Sequence, residues 1–139
     1  GELHARLVGV GTDLLVEHLP NVPAATPTPQ EGEPTYAEKL TVDEFRLDPQ
    51  RAAGELELIV RAGNPRPGAW MVVNGHRVKV WRAHAAGGGD GSPGTIDTGA
   101  QLATAHGVLV LDEVQAEARR AMAGRDWRRG VRGDARVDA

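Results

Sequence analysis

The chain has 139 residues, of which 40% are apolar, and a formal net charge of −3 at pH 7. This length and apolar fraction suit one domain with a single modest core and leave little room for a second independent domain. The absence of cysteine excludes disulfides and thiolate metal sites, and since no secretory leader or long uncharged apolar stretch is recognisable, a soluble cytoplasmic protein without a membrane partner is predicted.

The first part of the chain predicts a helix followed by an extended linker. Residues 2–19 place Leu3, Leu7 and Val10 at helical spacing. Two glycines interrupt this pattern, and each weakens an isolated helix by about 1 kcal/mol relative to alanine. The helix therefore needs a surface to pack on. Residues 20–34 contain five prolines, which favours a linker of limited flexibility.

A second helix, a rigid corner and a β-hairpin are predicted next. The helix over 49–61 has Asp48 as its candidate N-cap and a proline at its first position. It is expected to end at Gly63-Asn-Pro-Arg-Pro67, because neither proline can continue the hydrogen-bond ladder. Residues 70–73 and 77–81 then form two strands around Asn74-Gly75, a dipeptide that favours a two-residue turn.

The rest of the chain predicts further strands and one short helix. Strands are expected over 95–98, 101–105 and 108–114, the last apolar on both faces and therefore central. The glycine-rich stretch 87–94 is expected to be a mobile loop, 123–129 a short basic helix and 131–139 a loose tail. Five short strands fit a small closed or nearly closed β-barrel, because closure removes exposed strand edges.

The charge is unevenly distributed along the chain. Residues 1–59 hold 4 basic and 11 acidic side chains, whereas residues 60–139 hold 12 basic and 8 acidic ones. The two parts therefore differ in sign. A basic barrel behind an acidic leader is compatible with binding to a nucleic-acid backbone, because the local potential decides where a polyanion lands.

Five motifs spread over nearly the whole chain are more specific than any single element. They are Thr35-Tyr-Ala-Glu-Lys-Leu40, Ile59-Val-Arg-Ala-Gly-Asn-Pro-Arg-Pro-Gly-Ala-Trp70, Asn74-Gly-His-Arg-Val-Lys-Val-Trp81, Val114-Gln115 with Met122, and Asp126-Trp-Arg-Arg-Gly130. In order and spacing they resemble the C-terminal domain of the methionyl-tRNA formyltransferases. The resemblance implies a mainly β fold with flanking helices, in which a small OB-like Greek-key β-barrel follows a helix and an extended linker.

The resemblance also implies a domain organisation. Residues 1–20 correspond to the final helix of a formyltransferase catalytic domain, 21–40 to the interdomain linker, 41–132 to the OB-like tRNA-binding domain and 133–139 to a tail. In the family, an N-terminal Rossmann-like domain with an Asn-His-Asp active site transfers a formyl group from formyltetrahydrofolate to the methionyl amino group of initiator Met-tRNA in translation initiation. No position here corresponds to that site, so this chain is expected to have no catalytic residue or cofactor and to be inactive alone.

The implied partners are initiator tRNA and the protein's own N-terminal catalytic domain, with a dimer through the exposed first helix as a further expectation. The cations expected to hold tRNA phosphates lie at the corner, on and beside the hairpin, and after the last long strand: Arg66, Arg77, Lys79, Arg82, Arg119 and Arg120. Alternate positions on a strand share a face, so Arg77 and Lys79 should project together. With three Trp, one Tyr and one Phe, base stacking is expected to contribute less than phosphate contacts.

The histidines, the adjacent acidic pair and the tryptophans are interpreted as structural residues. The histidines have no metal-binding spacing, so no metal site is predicted. Asp112 and Glu113 should point to opposite faces of a strand and cannot form a catalytic pair. Trp70 and Trp81 are expected to cap the barrel core, and Trp127 to pin the short helix to the barrel.

Two alternatives stay open. One is the accessory C-terminal domain of another formyltetrahydrofolate-dependent formyltransferase or hydrolase, and the other is a stand-alone interaction module without tRNA binding. The basic hairpin favours the tRNA-binding hypothesis. Two features depart from the family pattern: Ala118-Arg119 stands where the family commonly has Gly-Lys, and three glutamates make the linker acidic.

Overall fold

The computed structural model describes residues 1–24, 26–89 and 91–138. The chain divides into two compact units, Gly1–Lys39 and Leu40–Ala139. Ala25 of the predicted linker, Asp90 of the predicted mobile loop and Ala139 of the predicted tail lie outside the described residues.

The first unit begins with helix α1 (Glu2–His18), as the sequence predicted. Its apolar residues are exposed, and within the described part of this unit α1 has no buried side chain. The linker differs from the expectation at its start, because Leu19–Ala24 forms a 3₁₀ segment before the chain becomes irregular. Among the described residues, no helix has the length and apolar character needed to cross a membrane.

The second unit is an antiparallel sheet with helices beside it. A 3₁₀ turn at Asp43–Phe45 precedes the following elements: α2 (Ala53–Gly63), β1 (Ala69–Val73), β2 (His76–Ala86), β3 (Thr95–Ile96), β4 (Gln101–Ala103), β5 (Val108–Ala116), β6 (Met122–Ala123), α3 (Gly124–Gly130) and β7 (Ala135–Arg136). The seven-stranded sheet has the order β1-β2-β5-β4-β3-β7, with β6 paired to β5. The expectation that β5 is central is confirmed.

The two edges of this sheet meet. Val73 in β1 forms an antiparallel bridge with Val137, which follows β7. The amide of Asn74 donates to the carbonyl of Arg136 at 3.1 Å, and the amide of Asp138 donates to the carbonyl of Val72 at 2.9 Å. The sheet is thus curled on itself, and the predicted mainly β, OB-like fold with flanking helices is confirmed.

The hydrophobic core lies inside this curled sheet and under two helices. Leu56 and Val60 cover it from α2, and Trp127 covers it from α3 with 7% of its surface exposed. Trp127 therefore pins α3 to the sheet, as predicted. The hairpin is also confirmed, because Asn74 and Gly75 have φ of 49° and 79°, the positive values that its two-residue turn requires.

Helix α2 begins later than predicted. Asp48 does not cap a helix that starts at Pro49; its carboxylate accepts from the Gln50 amide at 2.9 Å and its carbonyl from the Arg51 amide at 3.1 Å, which makes a turn. The carbonyl of Pro49 accepts from the Ala105 amide at 2.9 Å. The proline carbonyl thus binds the chain after β4, and the helix starts only at Ala53.

The prediction of a loose tail was wrong. Ala135 and Val137 are buried in the core, and β7 pairs with β3. The Arg128 guanidinium supports this arrangement, since its Nε donates to the carbonyls of Ile96 and Asp97 at 3.1 Å. A two-residue strand is too short to produce a readable apolar alternation, so the sequence pattern could not reveal it.

We expect Val137→Ala to lower the free energy of unfolding by about 1–2 kcal/mol, because two buried methyl groups are lost. Val137 is 8% exposed. Leu58→Ala is the control, since Leu58 is 58% exposed and its truncation should change stability by less than about 0.5 kcal/mol. Urea unfolding of the two variants measures this, and equal midpoints would mean that the end of the chain does not pack on the sheet.

Candidate nucleic-acid interface

The corner between α2 and β1 is fastened to β2 by one side chain. Asn64 Nδ2 donates to the carbonyl of Trp81 at 2.7 Å and to that of Val80 at 3.3 Å. Gly63 lies so close to Phe45 that a Cβ there would be 2.5 Å from its ring. The peptide bonds Asn64-Pro65 and Arg66-Pro67 are both cis. The residue types at the corner, Gly63-Asn-Pro-Arg-Pro67, are therefore restricted at two successive positions. Gly63 is restricted by its close contact with the Phe45 ring, and Asn64 by its hydrogen bonds to β2.

Strand β2 is irregular at the place where Asn64 is bound. Its register with β5 shifts on both sides of Arg82. Before the shift the buried positions are Val78 and Val80, and after it Ala83 and Ala85 pack against the core. This β-bulge leaves the neighbours Trp81 and Arg82 both outside the core, which a regular strand would not do.

Two tryptophans on the outer surface carry cations. The Arg77 guanidinium lies 4.1 Å from the ring centroid of Trp70, and the Lys79 ammonium lies 4.5 Å from that of Trp81. Arg46 lies 5.7 Å from the Trp70 centroid. The expectation that Trp70 and Trp81 cap the core was wrong, because both are half-buried and occupy outward positions of the hairpin.

Each of these rings is held by its indole N–H. Trp70 Nε1 donates to the carbonyl of Val42 at 2.9 Å. Trp81 Nε1 donates to Gln115 Oε1 at 2.9 Å, and Gln115 Nε2 donates to the carbonyl of Arg119 at 2.7 Å. A ring with a fixed orientation restricts the cation that lies over it. Gln115 thus connects the hairpin to the turn after β5.

The 3₁₀ turn at Asp43–Phe45, which precedes α2, is stabilised by the carboxylate of Glu44. Glu44 accepts from the Thr41 amide at 2.7 Å and from its hydroxyl at 2.9 Å. These hydrogen bonds, the backbone one first, lower the pKa of the Glu44 carboxyl. They close the 3₁₀ turn beside Val42, the residue whose carbonyl holds Trp70.

Gly68 sets the position of the Lys79 stem. Its φ is +89°, and a Cβ there would lie 2.6 Å from Lys79 Cε. The lysine therefore runs directly over the glycine backbone on its way to the Trp81 ring. The positive φ at residue 68 favours glycine, and a side chain there would displace the Lys79 stem from its present path.

The turn after β5 approaches the hairpin cations. The Glu117 amide donates to the Arg77 carbonyl at 3.2 Å, and Arg119 and Arg120 are exposed in the turn that follows. Ala118 has φ of +57°. A depression of about 200 Å³ lies between hairpin and turn and is lined by Arg77, Lys79, Gln115, Ala116, Glu117 and Ala118. We call the surface formed by Arg46, Arg77, Lys79 and the two tryptophans the cation face.

The structure brings together some of the predicted site residues. Arg77 and Lys79 share an outward surface as expected, whereas Arg119 lines a different depression with Val78 and Asp126, and Arg120 is exposed in the same turn. Arg66 is exposed at the corner, and Arg82 is exposed within the bulge, opposite Glu113. No hydrogen bond or ring contact between described residues joins Arg66 or Arg82 to the cation face.

Sequence reasoning missed several members of this surface. Trp70 and Trp81 flank the basic positions of the hairpin in the sequence, and that spacing could have indicated cation–ring pairs. Gln115 belongs to the motif Val114-Gln115 with Met122, from which the sequence predicted no role for its side chain. Arg46 had no sequence signal, because its place depends on a parallel bridge with Trp70.

The rest of the described chain offers little acid–base chemistry. Within residues 1–24, 26–89 and 91–138, no group of three or more potential metal-ligating side chains occurs. Asp112 lies 2.9 Å from the ring nitrogen Nδ1 of His84, so its partner is a histidine on the neighbouring strand. The cation face itself offers charged and aromatic groups at its surface.

This chain is similar to a known protein family and to curated proteins. Residues 39–132 match the family model described as formyl transferase, C-terminal domain. Methionyl-tRNA formyltransferase of Thermus thermophilus is 43% identical over 129 residues, covering 90% of this chain and 42% of that protein. The same enzyme of Paracoccus denitrificans is 38% identical over 138 residues, covering 99% and 46%. The chain thus spans less than half the length of these curated relatives.

Two solved structures of HypX from Aquifex aeolicus are similar in fold. One is a variant, with a TM-score of 0.66 over 88% of this chain and 24% of that one. The other, in complex with tetrahydrofolic acid, has a TM-score of 0.64 over 83% and 22%. Both are 22% identical to this chain, so the likeness shows a shared fold alone.

We expect Gln115→Leu to release the Trp81 indole and to lower the free energy of unfolding by about 1–2 kcal/mol, because two hydrogen bonds are lost. Gln115→Glu keeps an acceptor for the indole but no donor for the Arg119 carbonyl. In a ¹H–¹⁵N spectrum, the Trp81 indole resonance should move strongly in the leucine variant and little in the glutamate variant. The Trp127 indole serves as the internal control. A Trp81 resonance that stays in place in the leucine variant contradicts this arrangement.

Ala118→Gly should stabilise the protein by about 0.5–1 kcal/mol, because glycine adopts a left-handed backbone conformation without the strain that a Cβ causes. The matched control is Ala62→Gly inside α2, which should destabilise by up to about 1 kcal/mol. Thermal unfolding of both variants reports the two signs. A loss of stability in both would show that residue 118 does not adopt a left-handed conformation.

Proposed function

The chain belongs to the formyl transferase C-terminal domain family, and we propose that it is the tRNA-holding part of a methionyl-tRNA formyltransferase. The support comes from relatives of that name that are 37–43% identical over most of this chain. In the full-length protein, an N-terminal catalytic domain would transfer the formyl group from formyltetrahydrofolate to initiator Met-tRNA. The exposed apolar side of α1 is proposed to pack on that catalytic domain.

The observation that carries the proposal is the placement of Arg77 and Lys79 on tryptophan rings. A long cationic side chain normally loses rotamer entropy when it binds a phosphate, and a side chain already held on a ring loses less. The guanidinium of Arg77 can engage a phosphate through two parallel hydrogen bonds, whereas the Lys79 ammonium acts as a point charge. The cation face thus presents ordered positive groups to a polyanion, although the net charge of the whole chain is −3.

In this proposal, the cation face binds the tRNA backbone and leaves the reading of its sequence to other contacts. Phosphate contacts fix the register and orientation of a nucleic acid without carrying sequence information. Arg77 and Lys79 form the centre, Arg119 and Arg120 extend the surface along the turn, and Arg66 and Arg82 act at its margins. The catalytic domain would then receive the aminoacyl end in a defined position.

The test is the double variant Arg77→Gln/Lys79→Gln, measured against initiator tRNA and a second tRNA of different sequence. We expect both tRNAs to bind at least about 10-fold more weakly, and the slope of log affinity against log salt to fall by about 1.5–2, since two phosphate contacts are lost.

The control is Arg51→Gln/Arg125→Gln, which removes the same charge from exposed positions before α2 and on α3 and should leave affinity within about 2-fold. Equal losses in both double variants would mean that net charge alone governs binding. A loss confined to one tRNA would contradict backbone recognition. Absence of tRNA binding by the unaltered chain at low salt would favour an accessory domain without a tRNA role.

A further inference from the structure

One carboxylate lies within the cation face. Glu117 is exposed and lines the depression that Arg77 and Lys79 also line. Arg119 and Arg120 follow it in the chain. Despite these cations, no ion pair within 4.0 Å involves Glu117 in the part of the chain that the structure describes.

The strand register fixes the side of the sheet on which Glu117 lies. Lys79 pairs with Gln115 and Val78 with Ala116, and the Glu117 amide donates to the Arg77 carbonyl at 3.2 Å. Glu117 therefore stands opposite Arg77 and continues the outward positions of β5. Its carboxylate faces the same depression as the two hairpin cations.

A carboxylate at this place opposes phosphate binding unless it accepts a hydrogen bond from the ligand. It repels the phosphates that Arg77 and Lys79 attract. The backbone of RNA supplies a hydrogen-bond donor at every nucleotide, the 2′-hydroxyl, which DNA lacks. A carboxylate beside a phosphate-binding pair is thus suited to accept from the ribose of the same nucleotide.

We propose that the depression is a subsite for one ribonucleotide, in which Arg77 and Lys79 bind the phosphate and the Glu117 carboxylate accepts from the 2′-hydroxyl. This inference rests on the proposed RNA-binding function and adds a specificity to it. The depression of about 200 Å³ receives sugar and phosphate, and the base remains outside. The cation face then selects RNA without reading its sequence.

The test compares an RNA hairpin of the tRNA acceptor arm with the same hairpin carrying 2′-fluoro sugars, which keep the A-form helix but lack the donor. The unaltered chain should bind the RNA at least about 10-fold more tightly, the lower limit expected for one hydrogen bond to a charged group. Glu117→Ala should bring this ratio below about 2, and Glu117→Gln, whose neutral amide oxygen still accepts, should give an intermediate ratio.

The control variant is Glu55→Ala, which removes an exposed carboxylate from α2 and should leave the ratio unchanged. If Glu117→Ala strengthens binding of both hairpins equally and preserves the ratio, the carboxylate only repels the ligand and the inference is overturned. If the unaltered chain binds neither hairpin at low salt, the proposed RNA-binding function itself fails, a result distinct from an unchanged ratio.

Discussion

The cation face depends on the hydrogen bonds by which Asn64 holds the corner against β2. The amide binds two successive carbonyls, those of Val80 and Trp81, next to the β-bulge. A bulge bends its strand and increases the local twist, and β2 has 11 residues that must follow a strongly curled sheet. The same irregularity keeps Arg82 outside the core beside Trp81, whereas the alternation that buries Val78 and Val80 would otherwise turn Arg82 inward.

Ordering of side chains, more than their number, distinguishes this surface. The chain has 16 lysines and arginines but is acidic overall, so a count of charges would not indicate a polyanion site. Trp70 and Trp81 change this locally, because each has its N–H bound and at least one cation on its ring. An exposed lysine or arginine whose side chain samples many rotamers contributes little to holding a ligand in one position. Cations with restricted rotamers can place a ligand as well as attract it.

The sequence predicted those parts of the fold in which local chemistry decides the structure. Asn74-Gly75 determines the hairpin turn, and the continuous apolar run of β5 indicates a strand buried on both faces. Prediction from the sequence failed where a contact between residues far apart in the sequence decides the structure. The helix start at Ala53 depends on the pairing of Pro49 with Ala105, and β7 depends on its pairing with β3 and on the Arg128 hydrogen bond to the Gly133 carbonyl just before it. The outward position of Arg82 follows from a bulge that no alternation of residue types could show.

The corner motif, which carries much of the family resemblance, is explained by the fold. Gly63 admits the Phe45 ring, Asn64 binds the bulge and Gly68 lets Lys79 pass. Arg66 is the exposed cation of this segment, and its contacts with the barrel are not needed to explain the motif.

The residues of the hairpin and the turn are not needed for closing the sheet. Contacts of Val72, Val73 and Val137 close it, and Arg77, Lys79 and Glu117 take no part in them through their side chains. A domain could therefore keep the motif and the barrel while changing the hairpin and the turn, and its function would change with them. Evidence for RNA recognition must come from the hairpin and the turn, since the motif indicates the fold.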